Sequence, residues 1–118
     1  MLFDNDQACL DVLEIIVKDN GCDVYPFASW KLNTLQEIID IKPEIILLDE
    51  WLSDIRGSEI CEILKSVSQL SYTQIFLVSA VTGLEAIAQS CGAHGYVEKP
   101  YMLADIEDIL RVRISSAT

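Results

Sequence analysis

Ile45, Ile46, Leu47 and Leu48 form an unbroken apolar run, closed by two carboxylates, Asp49 and Glu50. A half-wet strand alternates apolar and polar residues. A run without alternation suits a parallel strand covered on both faces. That one feature commits the chain to a sheet with helices on either side, since nothing else hides both faces of such a strand. The stretch Pro43–Gly57 is therefore read as a strand Glu44–Leu48, an acidic pair and a loop running to Gly57. Open α/β sheets hold their ligands in the crevice outside the carboxyl ends of the strands. Asp49 stands at that place.

The rest of the chain alternates short apolar runs with amphipathic segments, as βα units do. Met1–Phe3 reads as a first strand, short at its start, ending at Asp4-Asn5-Asp6. From Gln7 to Asn20, residues Cys9, Val12, Leu13, Ile16 and Val17 share one helical face, opposite Asp11, Glu14 and Lys18. Asn20-Gly21 stops that helix. Val24–Ala28 is a second strand, set at a sheet edge by Pro26, which has no N–H for a ladder. Ser29 is the expected N-cap of a helix Trp30–Ile41 that turns Leu32, Leu35, Ile38 and Ile39 inward. A third helix, Gly57–Val67, would bury Ile60, Ile63 and Leu64. Gln74–Val78 is the fourth strand, ending at Ser79-Ala80, and Thr82 is the expected cap of a helix Gly83–Ser90 that Gly92 ends. Gly95–Glu98 is the fifth strand, ending at Lys99-Pro100. Tyr101–Arg113 is the last helix, with Leu103, Ile106, Ile109, Leu110 and Val112 as core candidates.

Right-handed crossovers between five such units give a doubly wound, five-stranded parallel α/β sheet of order 2-1-3-4-5 with five helices, a flavodoxin-like arrangement. At 118 residues this is one domain, read as 1–114, with 115–118 a tail or the start of a linker. No apolar run approaches the ~20 residues of a membrane span, and no basic-then-apolar leader is present. Cys9, Cys22, Cys61 and Cys91 make no CxxC pair and have one His for company, which argues against zinc. They are expected to be reduced, in a cytoplasmic protein. The net charge of −11 argues against direct contact with nucleic acid or an anionic membrane.

The polar residues that interrupt the apolar runs fall at strand ends: Asp4, Asp49, Ser79 and Lys99. The fold brings them to one crevice. Asp4, Asp6 and Asp49 close together either raise their pKa values or admit a cation, and with oxygen donors alone the natural cation is Mg²⁺. A carboxylate nucleophile, a hard cation, an ammonium and a hydroxyl are the parts that phosphoryl transfer asks for. On that reading Asp49 becomes an aspartyl phosphate. Each residue alone also fits a plain structural role, Asp49 ending a strand and Lys99 pairing with it. The four together favour chemistry.

With these residues in view, the chain resembles the receiver domain of two-component response regulators, the CheY-like family, from Met1 to about Arg113. The resemblance rests on Phe3-Asp4-Asn5-Asp6, on Ile45–Asp49 with Gly57 eight residues further, on Phe76–Ala80, and on Gly92-Ala93 followed by Tyr96 and Lys99-Pro100. It implies that Asp49 takes a phosphoryl group from a phosphohistidine on a sensor histidine kinase. It implies a Mg²⁺ held by Asp4, Asp49 and the Trp51 backbone carbonyl, with Asn5 beside them. It implies that Ser79 moves to the phosphoryl group, Tyr96 turns inward behind it, Lys99 binds it, and a cis peptide precedes Pro100. The protein would be a phosphorylation-driven switch rather than a turnover enzyme. Its output would be an output domain or downstream protein, met through the face of the fourth helix, fifth strand and fifth helix, with a homodimer left open.

Some positions depart from the family. Asn5 replaces an acid, which removes a negative charge and predicts weaker Mg²⁺ binding; Asp6 either compensates or caps the first helix. Ser53 stands where Pro is frequent. Trp51 and Val81, two residues beyond Asp49 and Ser79, are either ordinary variation or an apolar shield for the acyl phosphate. His94 reads as exposed structure in preference to a phosphate carrier. Arg111 and Arg113 read as helix-end charges, or else as part of a docking face with Tyr96 and Tyr101. The main alternative is a receiver-like binding module that works without phosphorylation. A haloacid dehalogenase-type hydrolase needs a second acid where Trp51 stands, and a dinucleotide or flavin binder needs a Gly-rich first loop that is absent.

Overall fold

A computed structural model describes the backbone of residues 1–117 and the side chains of residues 1–111. The elements run β1 (Leu2–Phe3), α1 (Gln7–Asp19), β2 (Pro26–Phe27), α2 (Thr34–Ile41), β3 (Ile45–Leu48) and α3 (Gly57–Lys65). A 3₁₀ turn (Ser68–Leu70) precedes β4 (Gln74–Ser79), α4 (Leu84–Cys91), β5 (Gly95–Glu98) and α5 (Leu103–Ala117). The strands form one parallel sheet in the order β2-β1-β3-β4-β5, the doubly wound arrangement expected.

β3 is the centre of this sheet, and its four apolar residues divide between two cores. Ile46 and Leu48 pack with Phe3, Ile38, Ile60, Leu64 and Leu77 on one face. Ile45 and Leu47 pack with Leu10, Leu13, Val17, Ile106 and Leu110 on the other. Successive side chains on a strand point to opposite faces, so a run without alternation fills both layers at once. Each such buried side chain contributes about 1.5–3 kcal/mol relative to exposure.

Several local expectations are corrected. On α1, Leu10 joins Leu13, Ile16 and Val17 in the core, while Val12 is exposed and Cys9 only half-buried. β2 keeps Pro26 and Phe27 of the five residues expected, at the sheet edge as Pro26 foretold. α2 starts at Thr34, not Trp30, and Ser29 caps nothing. The Trp30 ring lies 6.1 Å from that of Phe3, and the Thr34 hydroxyl accepts the Lys31 N–H at 2.9 Å. Together they hold 30–33 as a loop, with Leu32 fully exposed. α4 begins after Gly83 at φ 77°, and Thr82 supplies no cap. Leu103 is exposed, whereas Ile106 and Leu110 are buried as expected. The Val112 assignment lies outside the described side chains. The backbone of α5 is helical through Ala117, taking in residues 115–117 of the stretch read as a tail or the start of a linker; Thr118 lies outside the described residues. No cysteine is in a disulfide, and Cys61 and Cys91 are core residues.

Candidate functional site

Asp4, Asp49, Ser79 and Lys99 meet at the carboxyl end of the sheet. Parallel pairing makes this unavoidable: Phe3 is in register with Leu48, and Leu48 with Leu77, so the residues that follow leave the sheet side by side. Asp4, Asp49 and Ser79 are all buried. Lys99 Nζ bridges the two acids, 2.6 Å from Asp4 Oδ2 and 2.9 Å from Asp49 Oδ2. Ser79 Oγ donates to Asp49 Oδ1 at 2.8 Å, and the Trp51 N–H reaches the same oxygen at 3.1 Å. Asp4 Oδ1 accepts the Asp6 N–H at 2.9 Å. Every carboxylate oxygen of Asp4 and Asp49 thus has a donor.

Burial works against the charge of the Lys99 ammonium. The hydrogen bonds and charges of Asp4 and Asp49 outweigh it and hold Lys99 above the ordinary lysine range. Two buried carboxylates against one ammonium leave the cluster one negative charge in excess, so a further cation is electrostatically welcome. The donors are oxygens, which suits a hard ion such as Mg²⁺. Neighbouring acids are engaged elsewhere. Asp6 caps α1, its Oδ1 accepting from the Ala8 and Cys9 N–H groups. Asn5 is exposed. Among the described residues no three His, Cys, Asp or Glu side chains converge as a metal site. The residues fit Mg²⁺ as a two-carboxylate site.

Other expected residues stand back from the cluster. Tyr96 is 38% exposed. The charge of Glu85, then burial, and a hydrogen bond to the same Glu85 raise its hydroxyl pKa; in this structure it faces outward. The Val81 N–H reaches Ser79 Oγ at 3.4 Å. The Trp51 ring is exposed, with the Arg56 guanidinium 5.6 Å from its centroid. His94 is structural: its Nδ1 accepts the Ile75 N–H at 3.0 Å. Arg111 pairs with Asp108 on its own helix at 2.9 Å, and the Arg113 side chain lies outside the described residues. The Lys99–Pro100 peptide is cis, as the resemblance implied.

One participant escaped the sequence reading. Glu50 is buried and bonded to Ser58, a pairing across the loop between β3 and α3, where no single element's periodicity applies.

A family profile described as "Response regulator receiver domain" matches residues 1–111. The chain belongs to that family. The receiver domain is 26% identical to Protein PilG of Pseudomonas aeruginosa over 120 residues, covering 100% of this chain and 88% of PilG. It is 25% identical over 118 residues to the DNA-binding response regulator MtrA of Mycolicibacterium smegmatis. That match takes in 97% of this chain and 49% of MtrA, so the chain spans about half the length of that relative. The CheY-like receiver domain protein of Methanospirillum hungatei superposes with a TM-score of 0.81 at 22% identity, covering 98% of this chain and 91% of that one. This likeness shows that the two share a fold. A receiver domain of a response regulator is consistent with two-component signalling.

Proposed function

We propose that this receiver domain accepts a phosphoryl group on Asp49 from a phosphohistidine of a sensor histidine kinase and thereby changes which partner it binds. The observation that supports this is the setting of Asp49, buried at the end of β3 with a hydroxyl donor on one oxygen and an ammonium on the other. An Asp49 carboxylate oxygen attacks phosphorus, the P–O bond forms as the P–N bond breaks, and the imidazole leaves and takes up a proton. Lys99 neutralises charge on the transferred group, and Ser79 donates to it. Asp4, Asp49 and the Trp51 backbone carbonyl, with Asn5 adjoining, would hold Mg²⁺, which would supply charge neutralisation. Replacing Asn5 by Asp is expected to tighten Mg²⁺ binding, read by titration; no change or loosening rejects the charge argument.

The switch residues are Ser79 and Tyr96. Once Ser79 engages the phosphoryl group, Tyr96 gives up Glu85 and turns inward, which alters the face of α4, β5 and α5. A groove of about 340 Å³ lies there, lined by Phe76, Tyr96, Val97, Glu98 and Asp108 among others. An output domain, a downstream protein or a second copy docks on this face; nucleic acid and membrane do not, given the charge of −11. The domain acts in the cytoplasm as a signalling module and turns over no separate substrate.

One observation favours a second reading, a binding module that needs no phosphorylation. Lys99 already satisfies both acids, and Asn5 is exposed. Incubation with a small phosphodonor and Mg²⁺, then intact-mass measurement, separates the two. The first reading expects wild type to gain one phosphoryl group and Asp49→Asn to gain none. The second expects no gain in either.

A further inference from the structure

The loop between β3 and α3 holds a carboxylate that the phosphoacceptor reading does not use. Glu50 is 3% exposed. A carboxylate so buried is costly unless hydrogen bonds replace its water, and Glu50 draws both from one residue. The Ser58 N–H donates to Oε1 at 2.7 Å and Ser58 Oγ to Oε2 at 3.0 Å. These donors belong to the first turn of α3, whose own N-cap, Arg56, offers no side-chain acceptor. Glu50 therefore caps α3 from across the loop, its charge set against the positive end of the helix. Its backbone carbonyl also accepts the Gly57 N–H at 2.9 Å. The intervening residues 51–56 are closed by the Trp51–Arg56 backbone bridge.

Glu50 lies directly between two residues of the site. Asp49 precedes it, and Trp51, whose N–H donates to Asp49 Oδ1, follows it. Any rotation of the backbone at Glu50 is carried to both. We infer that Glu50 is a positioning residue: by clamping the loop to α3 through Ser58, it holds the Trp51 N–H on Asp49 Oδ1 and sets which way that carboxylate faces. The geometry stands by itself, and its consequence for phosphorylation rests on the reading above.

Amide hydrogen exchange of Trp51, followed by NMR in the full chain, tests the clamp without phosphorylation. Glu50→Ala is expected to speed Trp51 exchange about tenfold, the worth of roughly one local hydrogen bond, with β3 and β4 amides still protected. The same variant should slow phosphorylation by a small phosphodonor by about tenfold or more, since misplaced reacting groups lose rate steeply. Glu50→Gln keeps an oxygen for the Ser58 N–H and should recover both to within about threefold. Ser58→Ala removes the hydroxyl alone and should speed Trp51 exchange by about two- to fivefold. Trp51 exchange that stays at the wild-type rate in Ser58→Ala overturns the inference, and so does a rise shared equally by all strands in that variant. Ser58→Ala decides alone if Glu50→Ala does not fold. A wild-type chain that takes no phosphoryl group, while Trp51 exchange responds as expected, rejects the phosphoacceptor reading and leaves the clamp standing.

Discussion

Two loops meet at the site, and they are built differently. The loop from β3 to α3 is pinned at both ends. Glu50 takes three hydrogen bonds from Gly57 and Ser58, and a Cβ on Gly57 would collide with the Asp49 carbonyl oxygen. The loop from β4 to α4 has little of this. Its helix starts at a left-handed Gly83 with no side-chain cap, nothing lies within 4 Å of where a Cβ on Gly83 would stand, and Thr82 is exposed. The difference suits a division of labour. On the proposed function, the first loop would fix the acceptor carboxylate, and the second would leave the start of α4 room to rearrange. A switch needs one part held still so that motion of the other registers as a change of state.

Glycine substitution is the strongest way to break this comparison. Gly57→Ala forces the backbone of the pinned loop away from Asp49 and is expected to cost about 3 kcal/mol in a denaturant titration. Gly83→Ala meets no atom and pays only for its positive φ of 77°, about 1 kcal/mol. Equal losses in the two variants would remove the contrast between the loops.

An acid titration sets a third connection, from α4 to β5, beside these two loops. His94, next to β5, carries a pKa lowered by burial and then by the charge of Lys65. The folded state therefore binds fewer protons there than the unfolded chain. This contribution to stability is whole above about pH 6.5 and is lost as pH falls through the lowered folded value. Thermal unfolding at a series of pH values should show a fall below that point, reduced in His94→Gln. Identical profiles for the two proteins would contradict it. The smallest effect expected is that of Thr82→Ala, within about 0.5 kcal/mol, because no cap is lost.

The sequence exposes what lies in short-range pattern. The two-faced burial of β3 follows from four consecutive apolar residues, and the site follows from Asp4, Asp49, Ser79 and Lys99 each ending a strand. Features decided by distant contacts stay hidden. Trp30 reads as helical until its ring is found beside Phe3. Thr34 looks like mid-helix until its hydroxyl takes the Lys31 N–H and starts α2. The Glu50–Ser58 clamp spans a folded loop. The charge that raises the Tyr96 hydroxyl pKa comes from Glu85, on another element.

The claim that Asp49 is the phosphoacceptor is tested most directly by chemical trapping. Borohydride reduces an acyl phosphate to the alcohol, so an aspartyl phosphate becomes homoserine in the peptide that carries it. After exposure to a phosphodonor with Mg²⁺, the expected result is homoserine at position 49 alone, absent when the donor is omitted. Homoserine at another aspartate, a reduced glutamate, or no reduced residue anywhere in a folded chain would contradict the account.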